Sequence, residues 1–443
     1  METATELPIR PLECWPKLKE MRKNFFLNTW RAKERGHLLF IGAGALNMHT
    51  SLPQGLGETY SLAHGIYFAR LMRDTQEAVK THEAADAHGY SRDLCSTLRM
   101  SMGQVFRDMF TRPPWGGEVK PDFVLEPVVC IAQSKCSQVH SEEFQIPFIS
   151  YEIPFIVDPG DQEEVARTTT YLVNQMEEAI EKMAKATGRR YDDGRLIEGV
   201  YNEWQASVIW AKLCDLQKTV PAPLDDRALQ SICSGLYIAG KHRPETVEFM
   251  KMLYQETLER VKDGISAVGM ERCRLLHEGQ PMWYFIRFLR YPNRYGAVFL
   301  GGRFTFANHG AYDVDEGGSW RPSRDLKERG VVLRTRRDAL KALAELSLLH
   351  APMTWMPNIT RKVDEHIRLA QDWKANGVVF HLDLGCKMVA GGHMEARTAL
   401  QQMGIPTLTY ESSSSDPRDL SRAQVLDRLD AFLEQLGLTK LAS

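Results

Sequence analysis

The sequence predicts an α/β protein: two Rossmann-like domains with parallel sheets flanked by helices, plus a helical region. Three observations carry this. Short apolar runs alternate with helix-patterned segments in the first 190 residues. The alternation stops over 192–265, where helical spacing alone persists. It resumes from 266 to the end. Strands interleaved with helices at this spacing imply βαβ units. The expected division is a helical arm at 1–35, a first α/β domain at 36–191, a helical segment at 192–265 and a second α/β domain at 266–443.

The elements follow in order. HLLFIGAGALN (37–47) reads as a buried strand ending at two glycines. HGYSRDLCSTLRMSMGQVF (88–106) places Cys95 in the first turn of a helix, with Ser91 and Asp93 as candidate caps. PDFVLEPVVCIAQSKC (121–136) holds an apolar strand followed by a polar turn, and IPFISYEIP (146–154) is a third strand. Val165, Leu172, Met176, Ile180 and Met183 recur near every 3.6 residues, and Gly188 stops that helix. In the second half CRLLHEG (273–279), GAVFLGG (296–302), VVFHLDLGC (378–386) and IPTLTYE (405–411) read as strands. The helices between them are 281–290, 359–377 and 393–404. Segment 303–357 has no clear period. ESSSSDPRD (411–419) reads as a loop, and Ser421 with Gln424 has capping-box spacing before the last helix.

Composition excludes several classes. The 443 residues carry 55 basic and 57 acidic side chains, so no global positive field draws nucleic acid or anionic membrane. No apolar run approaches the ~20 residues of a spanning helix, and the charged N-terminus is no signal peptide. The cytoplasm is the expected compartment. Gly42 and Gly44 lack the third glycine of a dinucleotide fingerprint, and no P-loop or G-x-S-x-G elbow occurs.

Eight cysteines stand at 14, 95, 130, 136, 214, 233, 273 and 386, expected as reduced thiols. Cys136 and Cys386 each follow a strand, where open parallel sheets collect ligands. Cys95 begins a helix, whose N-terminus favours thiolate. Three remote thiols could thus meet in one cleft and hold zinc or an iron–sulfur cluster. Spacing alone has no specificity, and three unrelated buried thiols fit it as well. Cys130, inside EPVVCIAQ, reads as core filler, as do Cys14, Cys214, Cys233 and Cys273.

HGYSRDLCSTLRMSMG, QSKCSQVHSEEFQIPFISYEIP and ANGVVFHLDLGCKM, with the closing EARTALQQMGIPTLTYESSSSDPRDLSRAQVLDRLDAFLE, resemble the benzoyl-CoA reductase/2-hydroxyacyl-CoA dehydratase family. The similarity runs over roughly 40–440. Length and motif surroundings are most like the larger, B-type cluster-bearing subunit of ATP-dependent benzoyl-CoA reductase. The resemblance implies one [4Fe–4S] cluster in the crevice between the domains, with Cys95, Cys136 and Cys386 as ligands. It implies an oxygen-sensitive oxidoreductase of anaerobic aromatic degradation, passing low-potential electrons to an aryl-CoA thioester and dearomatising it to a cyclohexadienoyl-CoA. Its implied partners are a second homologous cluster-bearing subunit and ATP-hydrolysing [4Fe–4S] activator subunits, since this chain has no nucleotide motif. Its alternatives are a radical 2-hydroxyacyl-CoA dehydratase subunit and a double-cubane reductase of small molecules. A non-catalytic or zinc-binding α/β protein is the reading outside this chemistry. His88, His140 and Glu58 are candidate proton donors near the motifs, with solvated or structural roles as the plainer reading.

Overall fold

The computed structural model describes residues 6–42, 49–62, 68–110, 119–315, 318–352 and 358–441. Along the first half run α1 (Trp15–Trp30), β1 (Leu38–Gly42), β2 (Thr59–Ser61), α2 (Phe68–Leu71), α3 (Thr75–Ala87), α4 (Ser96–Phe106), β3 (Phe123–Val128), α5 (Ile131–Phe144), β4 (Phe148–Glu152) and α6 (Gln162–Thr187). Three long helices follow: α7 (Asp193–Asp215), α8 (Asp226–Ala239) and α9 (Pro244–Lys262). The second half holds β5 (Cys273–Glu278), β6 (Ala297–Phe299), α10 (Arg303–His309), β7 (Tyr312–Val314), β8 (Trp320–Pro322), α11 (Arg336–Glu345), α12 (Ile359–Asp372), β9 (Gly377–Asp383), α13 (Lys387–Ala390), α14 (His393–Gln402), β10 (Thr407–Ser412) and α15 (Arg422–Gln435).

Two four-stranded sheets form, ordered β2-β1-β3-β4 and β10-β9-β5-β6, and every pairing in both is parallel. Their central strands are apolar on both faces because helices cover both: Phe123, Val124, Leu125, Val378, Val379 and Phe380 are all buried. Parallel strands put all their carboxyl ends on one side, so each sheet has one edge from which its functional loops leave. One apolar cluster joins β3 and β4 residues to Val389, with Cys386 and Met388 packed against it. The loop after β9 thus lies against the first sheet.

The structure departs from the sequence reading at four places. α5 starts at Ile131, directly after β3, so no polar turn precedes Cys136. IAQSK contains no Gly, Pro, Asn or Asp, so nothing there stops a helix. The segment Trp283–Tyr295 is a 3-10 helix kinked at Phe285 rather than an α-helix. The described residues of 303–357 form α10, the antiparallel β7–β8 pair and α11; α10 is buried all round, so no solvent face marks its period. Ser421 caps α15 by position but makes no side-chain cap bond; the formed capping box is Thr335–Asp338 on α11. Gly44 lies outside the described residues.

Candidate thiol crevice

Among the described residues six α-helices begin with a side chain that accepts from the backbone: Asp74, Asp161, Asp192, Asp225, Thr335 and Asn358. Such caps satisfy amides left open in the first turn. Four others begin with cysteine, and none of these four makes a side-chain cap bond. Cys14 caps α1 in a separate apolar cluster; its amide donates to Glu256, and burial pushes its thiol up to about 12. The other three are Cys95 on α4, Cys130 on α5 and Cys386 on α13. Cys95 and Cys130 head helices of 11 and 14 residues, whose positive ends favour thiolate.

Backbone approach brings Cys95 and Cys386 together. A Cβ at Gly385 would lie 2.8 Å from the Cys95 Cα and 2.7 Å from the Leu94 carbonyl carbon, so only glycine lets these two loops meet. Asp383 Oδ1 accepts from the Gly385 and Cys386 amides at 3.1 and 3.3 Å and sets the turn. The neighbouring Cys386 thiol, with the Leu98 and Thr97 amides, holds Cys95 below the ordinary thiol range. Cys95 and burial push Cys386 well up. Gln280 Nε2 donates to the Cys386 Sγ at 3.6 Å.

The other side of the crevice is α4 against the loop after β10. Ser412 to Asp416 are fully buried. The Ser415 amide donates to Ser96 Oγ at 3.0 Å, and Thr97 Oγ1 meets Ser415 Oγ at 2.8 Å. Arg99 pairs with Asp416 and Asp86, and Arg418 with the same two carboxylates. These contacts tie the start of α4 to the carboxyl end of the second sheet.

Cys130 and Cys136 fall differently from the sequence expectation. Cys130 is half-buried at the end of β3, and with Val128, Val129, Ile131, Glu152, Ile153, Phe155 and Met388 it lines a pocket of about 160 Å³. Burial pushes its thiol up while the Gln133 and Ala132 amides pull it down; Cys95 is among its charged neighbours. Cys136 lies in the second turn of α5, in one buried cluster with Cys95, Leu98, Met102 and Val139. Its Sγ donates to the Leu98 carbonyl at 3.6 Å, and burial drives its thiol far up. Cys95 also acts electrostatically on Cys136.

The proton-donor candidates are engaged elsewhere. His88 Nδ1 lies 2.7 Å from the Ala84 carbonyl oxygen, and its ring stacks on Phe106. His140 is buried, with Nδ1 on the Cys136 carbonyl and Nε2 on Ser101 Oγ, and burial lowers it to about 4. Glu58 pairs with Arg243 and Arg195, which together outweigh its burial and hold it as a carboxylate. Sequence reasoning missed Lys362. It is buried, and its Nζ donates to the Met388, Val389 and Gly391 carbonyls, pinning the end of α13.

Among the described residues no three His, Cys, Asp or Glu side chains converge on a point as a single metal ion requires. A cubane differs, since each corner iron takes its own thiolate. The donor set suits such a group: soft thiols, two of them at helix N-termini that favour negative charge, beside the buried Asp383 Oδ2, which has no hydrogen-bond partner. Among the described residues no helix is long and apolar enough to cross a membrane.

The profile of the family described as 2-hydroxyglutaryl-CoA dehydratase, D-component, matches residues 61–436. The chain is similar to the (R)-2-hydroxyisocaproyl-CoA dehydratase alpha subunit of Clostridioides difficile, 23% identical over 92% of each chain. It is similar to the (R)-phenyllactyl-CoA dehydratase alpha subunit of Clostridium sporogenes, 23% identical over 96% of each. It also resembles the B-type subunit of benzoyl-CoA reductase from Thauera aromatica, 23% identical over 80% of this chain and 78% of that one.

Proposed function

The chain belongs to the 2-hydroxyglutaryl-CoA dehydratase D-component family, and from that membership and the thiol crevice we propose that it is a [4Fe–4S]-bearing subunit of a radical acyl-CoA enzyme. The observation that carries this is the set of three cysteine caps around the crevice, each with its thiol unspent on its own helix. Cys95 and Cys386 are two of the ligands, as expected from the sequence. The third is Cys130 rather than the expected Cys136, because Cys130 opens on a pocket while the Cys136 Sγ is turned to the Leu98 carbonyl.

When bound, the cluster supplies single electrons at low potential. The chain's own residues do the rest. The N-termini of α4 and α5 offset the negative charge of the Cys95 and Cys130 thiolates. Gln280 and the Asp383 turn hold Cys386 in place. Buried hydroxyls and ion pairs wall the crevice toward the second sheet, and their hydrogen bonds to one another fix the start of α4 there. The apolar pocket beside Cys130 seats the acyl group of a CoA thioester.

The reaction is dehydration of a 2-hydroxyacyl-CoA, favoured because the 2-hydroxyisocaproyl-CoA and phenyllactyl-CoA dehydratase subunits align over 92% and 96% of the chain and the reductase subunit over 80%. Dearomatisation of an aryl-CoA to the cyclohexadienoyl-CoA is the second reading. It is favoured by the pocket of about 160 Å³, close to the ~150 Å³ of an apolar cavity that takes benzene. Either reaction calls for a second cluster-bearing subunit and an ATP-hydrolysing activator, and both act in the cytoplasm.

Two measurements test this. Iron and sulfide are assayed on protein prepared without oxygen, for wild type and for Cys95→Ala, Cys130→Ala, Cys136→Ala and Cys386→Ala. The expected result is about four irons per chain, lost in all variants but Cys136→Ala. Iron-free wild type ends the proposal, and iron retained in Cys130→Ala but lost in Cys136→Ala returns the third ligand to Cys136. The reconstituted complex is then given a 2-hydroxyacyl-CoA and benzoyl-CoA; enoyl-CoA or dienoyl-CoA product decides the reaction.

A further inference from the structure

A buried lysine and a buried glutamate line one small cavity without forming an ion pair. Lys241, two residues past α8, is 3% exposed, and Glu203 in α7 is wholly enclosed. Glu203 acts electrostatically on Lys241, yet among the described residues no carboxylate pairs with that ammonium group. Lys241 Nζ donates to Ser207 Oγ at 2.9 Å, and this hydroxyl donates in turn to the Glu203 backbone carbonyl at 2.8 Å. The Glu203 carboxylate accepts from the Thr50 amide, the Ser51 amide and Ser51 Oγ at 3.2, 3.0 and 2.9 Å. Opposite charges held apart in a protein interior are costly unless something joins them.

His49 lines the same cavity. It is buried, and its φ of 55° lies in the left-handed region that non-glycine residues rarely adopt. Its Nδ1 lies 3.0 Å from Tyr151 Oη on β4, and the two rings stack with centroids 5.7 Å apart. Its Nε2 is buried and makes no hydrogen bond, although the Leu343 backbone acts on the ring.

The cavity holds about 10 Å³, with Ala307 and Leu346 among its apolar walls. One water molecule needs about 10–15 Å³. Bonding capacity points to the same occupant. A carboxylate offers about four acceptor sites, and the loop at Thr50 and Ser51 uses three of Glu203's. An ammonium group has more N–H donors than the single one Lys241 spends on Ser207. The imidazole has one ring nitrogen left over. A water can accept from the first cation and give its two hydrogens to the other groups.

We propose that this cavity is a binding site for a single water molecule, which accepts from Lys241 Nζ and donates to the Glu203 carboxylate and to His49 Nε2. Lysine and glutamate then form a water-bridged pair, and His49 donates through Nδ1–H to Tyr151. The bridge ties α7 and the segment after α8 to the first sheet through Tyr151. The left-handed backbone at His49 is what aims its ring at the cavity. None of these residues belongs to the thiol crevice, so the site stands whether or not the crevice holds a cluster.

The full chain is crystallised, and its structure is determined at high resolution before and after a bromide soak. The expected result is one solvent peak about 2.7–3.2 Å from Lys241 Nζ, a Glu203 carboxylate oxygen and His49 Nε2, with no anomalous bromide signal there. A direct Lys241–Glu203 contact with no peak between them overturns the proposal. So does bromide in the cavity, which marks an anion site. A second readout works in solution, where water-oxygen relaxation dispersion counts the long-lived internal waters. Lys241→Met/Glu203→Gln removes both charges together, so neither is left buried alone, and it should hold one such water fewer than wild type. An unchanged count in the folded double variant also overturns the proposal; should that variant not fold, the wild-type crystal decides.

Discussion

Replacing Gly385 with alanine tests the crevice at its narrowest point. The added Cβ would lie 2.7 Å from the Leu94 carbonyl carbon and 2.8 Å from the Cys95 Cα, besides meeting the Leu94 oxygen. Carbon pairs rest at about 3.5 Å or more, so the two loops must part by about 0.8 Å. All the close neighbours are backbone, and none is a flexible tip that could swing aside. Ligand distances tolerate about 0.2 Å, so the displacement is several times what the site can absorb. Gly385→Ala should fold, because nothing in either sheet is touched, yet lose its iron.

A second readout needs no cofactor. In iron-free wild type the Cys95 and Cys386 loops meet at Gly385, and mild oxidation should join the two thiols. Disulfides form only with Cβ atoms about 3.5–4.5 Å apart, so the same treatment should leave both thiols free in Gly385→Ala. Peptide mapping under non-reducing conditions distinguishes the two. A Gly385→Ala protein that retains full iron and still bridges Cys95 to Cys386 refutes the close-approach argument.

Other expectations concern the supports of the site. Glu126, buried beneath α5, is raised by burial to about 7 although Ser137 and Gln133 donate to it. The fold therefore holds its proton between the ordinary 4.5 and about 7, and native stability falls as pH rises through that window, by about 3 kcal/mol. Glu126→Gln should match wild type at pH 4 and melt about 3 °C higher at pH 8 in a calorimetric scan; an equal gap at both pH values rules this out. Asp416 is the opposite case. Despite burial, Arg418 and His82 hold it down at about 2, so its contribution is complete above about 4 and drains away as pH falls toward 2. Asp416→Asn leaves buried Arg99 half-paired and should cost about 3–5 kcal/mol, seen as a lowered melting temperature at pH 7. Lys362→Met frees three carbonyls at the end of α13 and should speed amide exchange at 387–391; unchanged exchange there would show that Lys362 does not secure the helix.

The parallel strands were legible because both faces of each central strand are covered, which leaves mainly apolar runs in FVLEPV and GVVFHLD, broken by the buried Glu126, His381 and Asp383. Cys95 and Cys386 could be picked out from their positions after a turn and a strand. The cap position of Cys130 could not, because EPVVCIAQ is apolar across the point where strand becomes helix, and the pattern holds no break at Val128. The signal that could have found it is the change from β-branched residues to Ala-Gln-Ser-Lys just after it, which marks a helix start with cysteine in the cap position. The serine run reads as a loop and is one, but its burial was not legible: Ser414 and Ser415 are satisfied by Ser96 and Thr97, each 318 positions away in the chain. Local pattern carries no trace of such a partner. α10 was hidden because full burial removes the solvent face that gives a helix its period.

The cap positions link these observations. A Ser, Thr, Asp or Asn cap is worth about 1 kcal/mol, and this chain forms such caps on six α-helices among the described residues. Where it places cysteine instead, it forgoes that gain. At Cys14 core packing accounts for the choice, since that side chain is buried among Leu12, Leu18 and Met21. Around the crevice it does not. Cys130 and Cys386 are only partly buried, whereas the cysteines that do fill core, such as Cys214 and Cys233, are wholly enclosed. The proposed cluster would take these partly exposed, uncapping side chains as its ligands. The same reasoning separates Cys130, which opens on a pocket, from Cys136, whose Sγ already has the Leu98 carbonyl and an apolar shell.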